Sequence, residues 1–227
     1  MVKETGAPAD RQQRHSAPAE RNSRPILEVL ERVLPDRGKV LEIASGTGQH
    51  VVAFAQALPG LVWQPSEIDP QLRSSVELRL AEANLSNVES PIDLDVTRMP
   101  WPIGAVDAVV CINMIHIAPW RATDALFRGA RDIQQDGGVL VTYGPYLRNG
   151  RHTAPSNEVF DASLRARNAD WGLRDIDAVT AIARQHGFDF EELVAMPANN
   201  FTLVFRAKVR GAPPSRYSGH PRGPAVL

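Results

Sequence analysis

The residues whose types and spacing bear on chemistry begin with Glu42, Ala44, Ser45, Gly46, Thr47 and Gly48. The apolar run Val40-Leu41-Glu42-Ile43 ends here on a small-residue turn that follows a carboxylate. Glycines at 46 and 48 let backbone come within contact distance of a ligand, and the stretch 49–58 reads as a helix whose N–H groups face the same turn. Those N–H groups suit an anion, whereas Glu42 asks for a ligand with a cationic part. A dinucleotide fingerprint requires a third glycine where Val51 stands, so the pyrophosphate of NAD loses a specific requirement.

Further carboxylates follow at the ends of later apolar runs. Glu67 lies about twenty residues beyond the turn, where a carboxylate accepts hydrogen bonds from a ribose diol, and Ile68 is beside it. Asp69-Pro70 reads instead as a helix N-cap with proline in the first turn, so the ribose falls to Glu67 and the cap to Asp69. Asp95 and Val96 follow the next run, with Asp93 as the alternative acid. Asn113 and His116 follow the one after, Tyr143 closes a fifth, and His152 lies in the polar stretch beyond it. His116, Tyr143 and His152 are the candidate general bases, although a histidine among apolar residues also fits a packed side chain. No metal-ligand cluster is expected.

These residues need elements to position them. Strands are expected at 39–44, 61–66, 88–94, 106–112 and 139–143, alternating with helices at 49–58, 70–83 and 119–134. Ser23 can cap a preceding helix on which Ile26, Leu27, Leu30, Val33 and Leu34 share a face. Alternation of this kind implies parallel strands covered by helices on both faces, with ligands beyond the strands' C-terminal ends. After a helix at 175–186, closed by Gly187, two strand-like runs at 188–196 and 201–206 are joined by a link so short that they must pair antiparallel.

One domain is expected over 14–207, with a lid-like insertion at about 145–174 that carries a short helix at 157–167. Residues 1–13 and 208–227 read as mobile, and Lys208, Arg210, Arg216 and Arg222 as a solvated basic tail. The 227 residues are 43% apolar with a formal net charge of −1, which gives no electrostatic footprint for nucleic acid or a membrane surface. Cys111 is the only cysteine; it excludes an internal disulfide, fits a reducing compartment, and sits in an apolar run as a small core residue. No apolar stretch approaches the roughly 20 residues that span a bilayer, and no secretory signal is visible, so a cytoplasmic protein is expected. Self-association into a homo-oligomer is compatible with the sequence.

The wording E-x-A-S-G-T-G resembles motif I of the class I S-adenosylmethionine-dependent methyltransferases. That resemblance implies a Rossmann-like α/β fold, its mostly parallel seven-stranded sheet in the order 3-2-1-4-5-7-6, ending in an antiparallel hairpin. It places Glu42 near the amino-acid part of the cofactor and the glycines beneath its sugar. Asp95 to Trp101 is similar to the D-x-x-x-L-P-F wording of these enzymes, in which the acid accepts from the adenine amino group and the next N–H, here Val96, addresses a ring nitrogen. Val106-Asp107-Ala108-Val109 is similar to their F-D-x-V, which sets Asn113 and His116 next to the departing methyl. Five further wordings, at 14–22, 63–70, 113–117, 168–175 and 196–200, resemble the poorly characterised group that includes methyltransferase-like protein 26. In that wording Arg14, His15, Arg21 and Asn22 are expected to fold over the pocket. The implied function is methyl transfer from S-adenosylmethionine to a small-molecule acceptor. No N-P-P-Y motif supports a nucleobase or glutamine amine. A cofactor-binding homologue without transfer, serving as cyclase, scaffold or partner subunit, is the rival; an NAD-dependent oxidoreductase is disfavoured by Val51 and the terminal hairpin.

Overall fold

The computed structural model describes residues 15–211; the expectations for 1–13, for Arg14 and for the tail beyond 211, Arg216 and Arg222 included, lie outside the described residues. The chain runs through α1 (Ala17–Val33), β1 (Gly38–Ile43), α2 (Gln49–Ala57), β2 (Leu61–Pro65), α3 (Pro70–Ala83), β3 (Val106–Ile112), α4 (Trp120–Ile133) and β4 (Gln134–Gly144). Then come a small hairpin of β5 (Leu147–Arg148) and β6 (Arg151–His152), α5 (Pro155–Arg167), α6 (Ile176–Gln185), β7 (Phe188–Met196) and β8 (Asn200–Ala207). The central sheet has six strands in the order β2-β1-β3-β4-β8-β7. β2, β1, β3 and β4 are parallel, while β8 runs antiparallel to both β4 and β7.

Strand residues alternate between two apolar layers because successive side chains leave a pleated sheet on opposite sides. Val40, Ala108, Val110, Val139 and Val141 pack with α1, α2 and α3. Leu41, Val109, Cys111 and Leu140 pack with α4 and α6. Cys111 is a core residue here, its thiol pushed up to about 12 by burial.

Three expectations are corrected. The strand expected at 88–94 is reduced to single bridges at Trp63–Val88 and Ser66–Ile92. Trp63 exchanges its N–H and carbonyl with Asn87 and Glu89 in regular parallel fashion, at 2.8 Å each. The next rung would use the N–H groups of residues 65 and 91, and both are proline. Ile92 therefore donates to the Pro65 carbonyl in their place (3.1 Å), and the Gln64 side chain reaches the Ser90 carbonyl (2.7 Å). The sheet consequently has six strands where seven were expected. The first helix also begins earlier than Ser23: Ser16 caps it, with Pro18 and Glu20 in its first turn, and Ser23 bonds the Ala19 carbonyl from inside the helix. The Ser-Ala-Pro-Ala-Glu signature was present in the sequence, but Pro25 suggests a boundary that the helix runs through. Finally, Lys208 and Arg210 remain at the surface but are tied to the domain: Lys208 pairs with Asp189 (3.1 Å), and Arg210 bonds Asp136 and the carbonyls of Arg131 and Gln134.

The segment from Asp95 to Trp101 is held by Trp101, whose indole donates to the Val96 carbonyl (3.1 Å) and lies flat on Gly129 of α4. A methyl group at 129 would collide with that indole. Alanine normally stabilises a helix interior by about 1 kcal/mol over glycine. Gly129→Ala is expected to do the opposite, destabilising the fold by about 1–3 kcal/mol through overpacking, as read by chemical denaturation.

Candidate functional site

The backbone turns left-handed three times after β1, at Ala44 (φ 53°), Gly46 (φ 57°) and Gly48 (φ 76°). Hydrogen bonds to the end of β2 hold this conformation. Ser45 donates its N–H to the Ser66 carbonyl (2.8 Å), Ser66 returns its N–H to the Ser45 hydroxyl (3.2 Å), and the Ser66 hydroxyl bonds the Glu42 carbonyl (2.7 Å). Gly46 donates its N–H to Glu67 Oε2 at 2.9 Å. A side chain at 46 would meet nothing nearer than the Ala44 carbonyl at 3.9 Å, so Gly46 opens onto free space. Gly48 is different: a methyl there would lie 3.2 Å from the Val76 Cα, so this glycine admits α3 rather than a ligand. The Thr47 hydroxyl bonds Gln49 and its carbonyl accepts from Arg79 (2.9 Å), while Gln49 reaches back to the Ser16 backbone at the start of α1.

Beyond the ends of β1, β2 and β3 lies a cleft of about 410 Å³. Ala44, Gly46, Glu67, Ile68, Asp95 and Val96 line it together, as do Leu72, Met114, Ile117 and Arg121, which the sequence reading missed. Leu72 and Arg121 stand in the first turns of α3 and α4, so their places in the helices were the available signal. Glu67 Oε1 accepts from the N–H groups of Ile68 (2.9 Å) and Asp69 (3.2 Å). With Gly46 on Oε2, three of roughly four carboxylate acceptor positions are taken, and Glu67 has one left for a ligand hydroxyl. Asp69 caps α3 through Gln71 and Leu72. Asp95 accepts from the N–H (2.9 Å) and hydroxyl (2.7 Å) of Thr97. Burial alone would push its carboxyl up, but those bonds and the guanidinium groups of Arg98 and Arg121 hold it below the usual range. Asp93 points outward, 62% exposed, against Arg73.

Glu42 lies beneath the turn with 1% of its surface exposed. Its Oε2 is buried and has no hydrogen-bond partner. Desolvation pushes its carboxyl up to about 8, against the Ser45 hydrogen bond and with the repulsion of Glu67. Glu42 is not among the residues that line the cleft, although its neighbours Ile43 and Ala44 are. A buried polar atom left unpaired there is a place that a ligand donor would satisfy.

The three candidate bases have different surroundings. His116 is buried, neither ring nitrogen has a hydrogen-bond partner among the described residues, and burial pushes it down to about 3, so it is a neutral side chain at neutral pH. It lies on Gly144, where a methyl would strike its ring, and edge-on to Tyr146 at 4.8 Å. Tyr143 is pushed up by burial, while the neighbouring side chains of Asn22 and Asn200 pull it back down. His50, neutral because burial pushes it down to about 4, bonds the Asn22 Oδ1 at 2.7 Å. His152 pairs with Asp161 (3.1 Å), which also accepts from the Leu173 N–H (2.7 Å) and from Arg165. Asn113 (φ 62°) donates its N–H to the Tyr143 carbonyl, and its side chain lies beside Gly144. Of the expected N-terminal residues that are described, Asn22 reaches this cluster, whereas His15 pairs with Glu20 and Arg21 is exposed.

The segment 145–174 is fastened to the loop after β3. Gly172 donates to the His116 carbonyl (2.9 Å), and Arg174 bonds the carbonyls of Ile115 (2.9 Å) and Ala118 (2.6 Å). Asn157 of α5 bonds the Asn199 carbonyl beside β8 (2.9 Å).

Because the folded protein holds the Glu42 proton more tightly than the unfolded chain, the native state binds more protons between the ordinary glutamate value of 4.5 and about 8. Stability from this group is full below that window and is lost as pH rises through it, at up to about 1.4 kcal/mol per pH unit. Glu42→Gln keeps the shape without the titration. The melting temperature of the variant relative to wild type is expected to climb steadily from pH 5 to pH 8; a difference that stays constant across that range would contradict the assignment.

The fold is shared with solved methyltransferases. An O-methyltransferase family protein from Burkholderia thailandensis superposes with a TM-score of 0.71 at 18% identity, over 85% of this chain and 58% of that one. Human N-acetylserotonin methyltransferase, solved in complex with SAM, gives 0.72 at 12% identity, over 84% and 53%. A methyltransferase of calicheamicin biosynthesis in its SAH-bound form gives 0.67 at 14% identity, over 82% and 54%. The chain thus spans a little over half the length of these proteins. The likeness establishes a class I methyltransferase fold, a mixed α/β structure with a largely parallel central sheet. Among the described residues no helix is long and apolar enough to cross a membrane. A family model covering residues 13–207 matches this sequence, and the chain belongs to that family, described as protein of unknown function, DUF938.

Proposed function

We propose that this protein binds S-adenosylmethionine in the cleft at the ends of β1–β3 and transfers its methyl group to a small-molecule acceptor. The observation that carries this reading is that Gly46, Glu67, Ile68, Asp95 and Val96, scattered along the sequence, line one space of about 410 Å³, a size suited to a small ligand. The unpartnered Oε2 of Glu42 fits the cofactor's amino group. Glu67 would take a ribose hydroxyl, Asp95 the adenine amino group and the Val96 N–H a ring nitrogen. The five wordings that resemble the group including methyltransferase-like protein 26 support placing the protein near that group.

The bound cofactor supplies an activated methyl on a cationic sulfur, so the chain's task is placement and exclusion of water. Two of the three candidate bases do not suit proton abstraction at neutral pH: His116 is held neutral with little basicity, and Tyr143 keeps its proton. His152 is bonded to Asp161. The reading therefore favours an acceptor whose nucleophilic atom needs no strong base, with Asn113 and Tyr143 orienting it. The same observation favours a second reading, in which the protein binds the cofactor without transferring its methyl.

Calorimetric titration with S-adenosylmethionine, S-adenosylhomocysteine and NAD tests the pocket: the two sulfur nucleosides are expected to bind and NAD is not. Gly46→Ala places a methyl in the open space without meeting protein, costing about 1–2 kcal/mol of stability for a left-handed alanine. Its affinity for S-adenosylhomocysteine is expected to fall at least about tenfold, the loss of roughly 1.4 kcal/mol of contact. Wild-type affinity in this variant would move the ligand elsewhere. Incubation with labelled S-adenosylmethionine and an acceptor library separates the two readings, since a bound cofactor that never yields a methylated product supports the second.

A further inference from the structure

This inference rests on the cofactor reading above and adds what happens to a proton. We propose that Glu42 is a neutral carboxylic acid in the ligand-free protein and gives up its proton when a ligand ammonium docks on its Oε2, so that the site selects ligands bearing a cationic amine by exchanging one cation for another.

Geometry carries the argument. The side chain is 1% exposed, and its Oε2 is buried without any hydrogen-bond partner. Ser45 bonds the carboxyl, and the Ser45 oxygen is itself occupied by the Ser66 N–H. Among the described residues the ionisable groups that face Glu42 are Glu67, from the end of β2, and Cys111, from β3, and neither supplies a positive charge. On the elements packed around the turn, His50 of α2 is bonded to Asn22, and Arg79 of α3 to the Thr47 carbonyl. A buried carboxylate with an anion beside it and no cation is strongly disfavoured, so it takes a proton instead. An ammonium arriving at Oε2 supplies the missing cation and three donors. The balance is simple: the acid O–H breaks, the proton passes to the buffer, and a carboxylate–ammonium pair remains.

The test is titration calorimetry of the full chain at pH 7 in two buffers of different ionisation enthalpy, with S-adenosylhomocysteine and with 5′-methylthioadenosine, which has the nucleoside but no amino acid. With Glu42 titrating at about 8, S-adenosylhomocysteine should release about 0.9 proton and 5′-methylthioadenosine none. Between pH 6 and 7 the affinity for S-adenosylhomocysteine should rise about tenfold. Glu42→Gln should bind it without proton release and without that pH dependence. Binding with no release, equal release by both nucleosides, or unchanged release in Glu42→Gln would each overturn the exchange while leaving the cofactor reading intact. Failure of wild type to bind either nucleoside would overturn the cofactor reading and the exchange with it. The acid itself is checked without ligand: its C=O stretch should be visible in the infrared spectrum of wild type at pH 7 and missing in Glu42→Gln. Identical spectra would overturn the neutral acid.

Discussion

Two serines at the ends of adjacent parallel strands set the geometry on which the cleft depends. Ser45 and Ser66 exchange backbone and hydroxyl hydrogen bonds, and Ser66 also ties down the Glu42 carbonyl. Each such bond contributes only about 0.5–1.5 kcal/mol net, but breaking one strands a buried polar group at a larger cost. The knot forces the left-handed backbone at Ala44 and Gly46, turns the Gly46 N–H onto Glu67, and leaves the face of Gly46 open. A looser turn would let Glu67 swing outward, and the cleft would lose both its floor and one wall.

A second set of contacts closes the other end of the site. Asn22 from α1 and Asn200 from β8 meet at the Tyr143 hydroxyl, at the end of β4. Arg174 and Gly172 fasten the 145–174 segment to the carbonyls of residues 115–118. Backbone carbonyls serve here as attachment points because the loop after β3 has no ladder partner for them. The segment thus borders the loop that carries Met114 and Ile117 into the cleft.

Between these two constraints the titratable groups are quiet. Burial without partners makes His116 a neutral packing residue, and burial against an anion leaves Glu42 holding a proton. Both effects have one source, the cost of charge in a low-dielectric interior, with opposite signs for a base and an acid. A site of this kind acts by placement, and its electrostatic response is reserved for an incoming cation.

Much of the fold was legible in the residues. The alternation of apolar runs with Asp-Pro, Gly and Asn boundaries placed α3, β3 and β7 at their observed limits, because capping and pleat periodicity are local. Glu67 and the glycine turn were legible for the same reason: each follows a strand, and strand ends of a parallel sheet converge, whereas Asp95 follows a segment that only single bridges tie to β2. What the sequence could not decide depended on neighbours. The prolines at 65 and 91 look harmless singly and abolish a rung only when the two segments lie side by side. Gly48 reads as a ligand glycine until Val76 is seen against it, and His116 as a base until its burial is known. Asn22 and Asn200 stand far apart in the chain and come to the same phenol only because α1 packs against β8. Local propensity and period are written in residue order, whereas desolvation and partner choice are set by what the fold brings into contact.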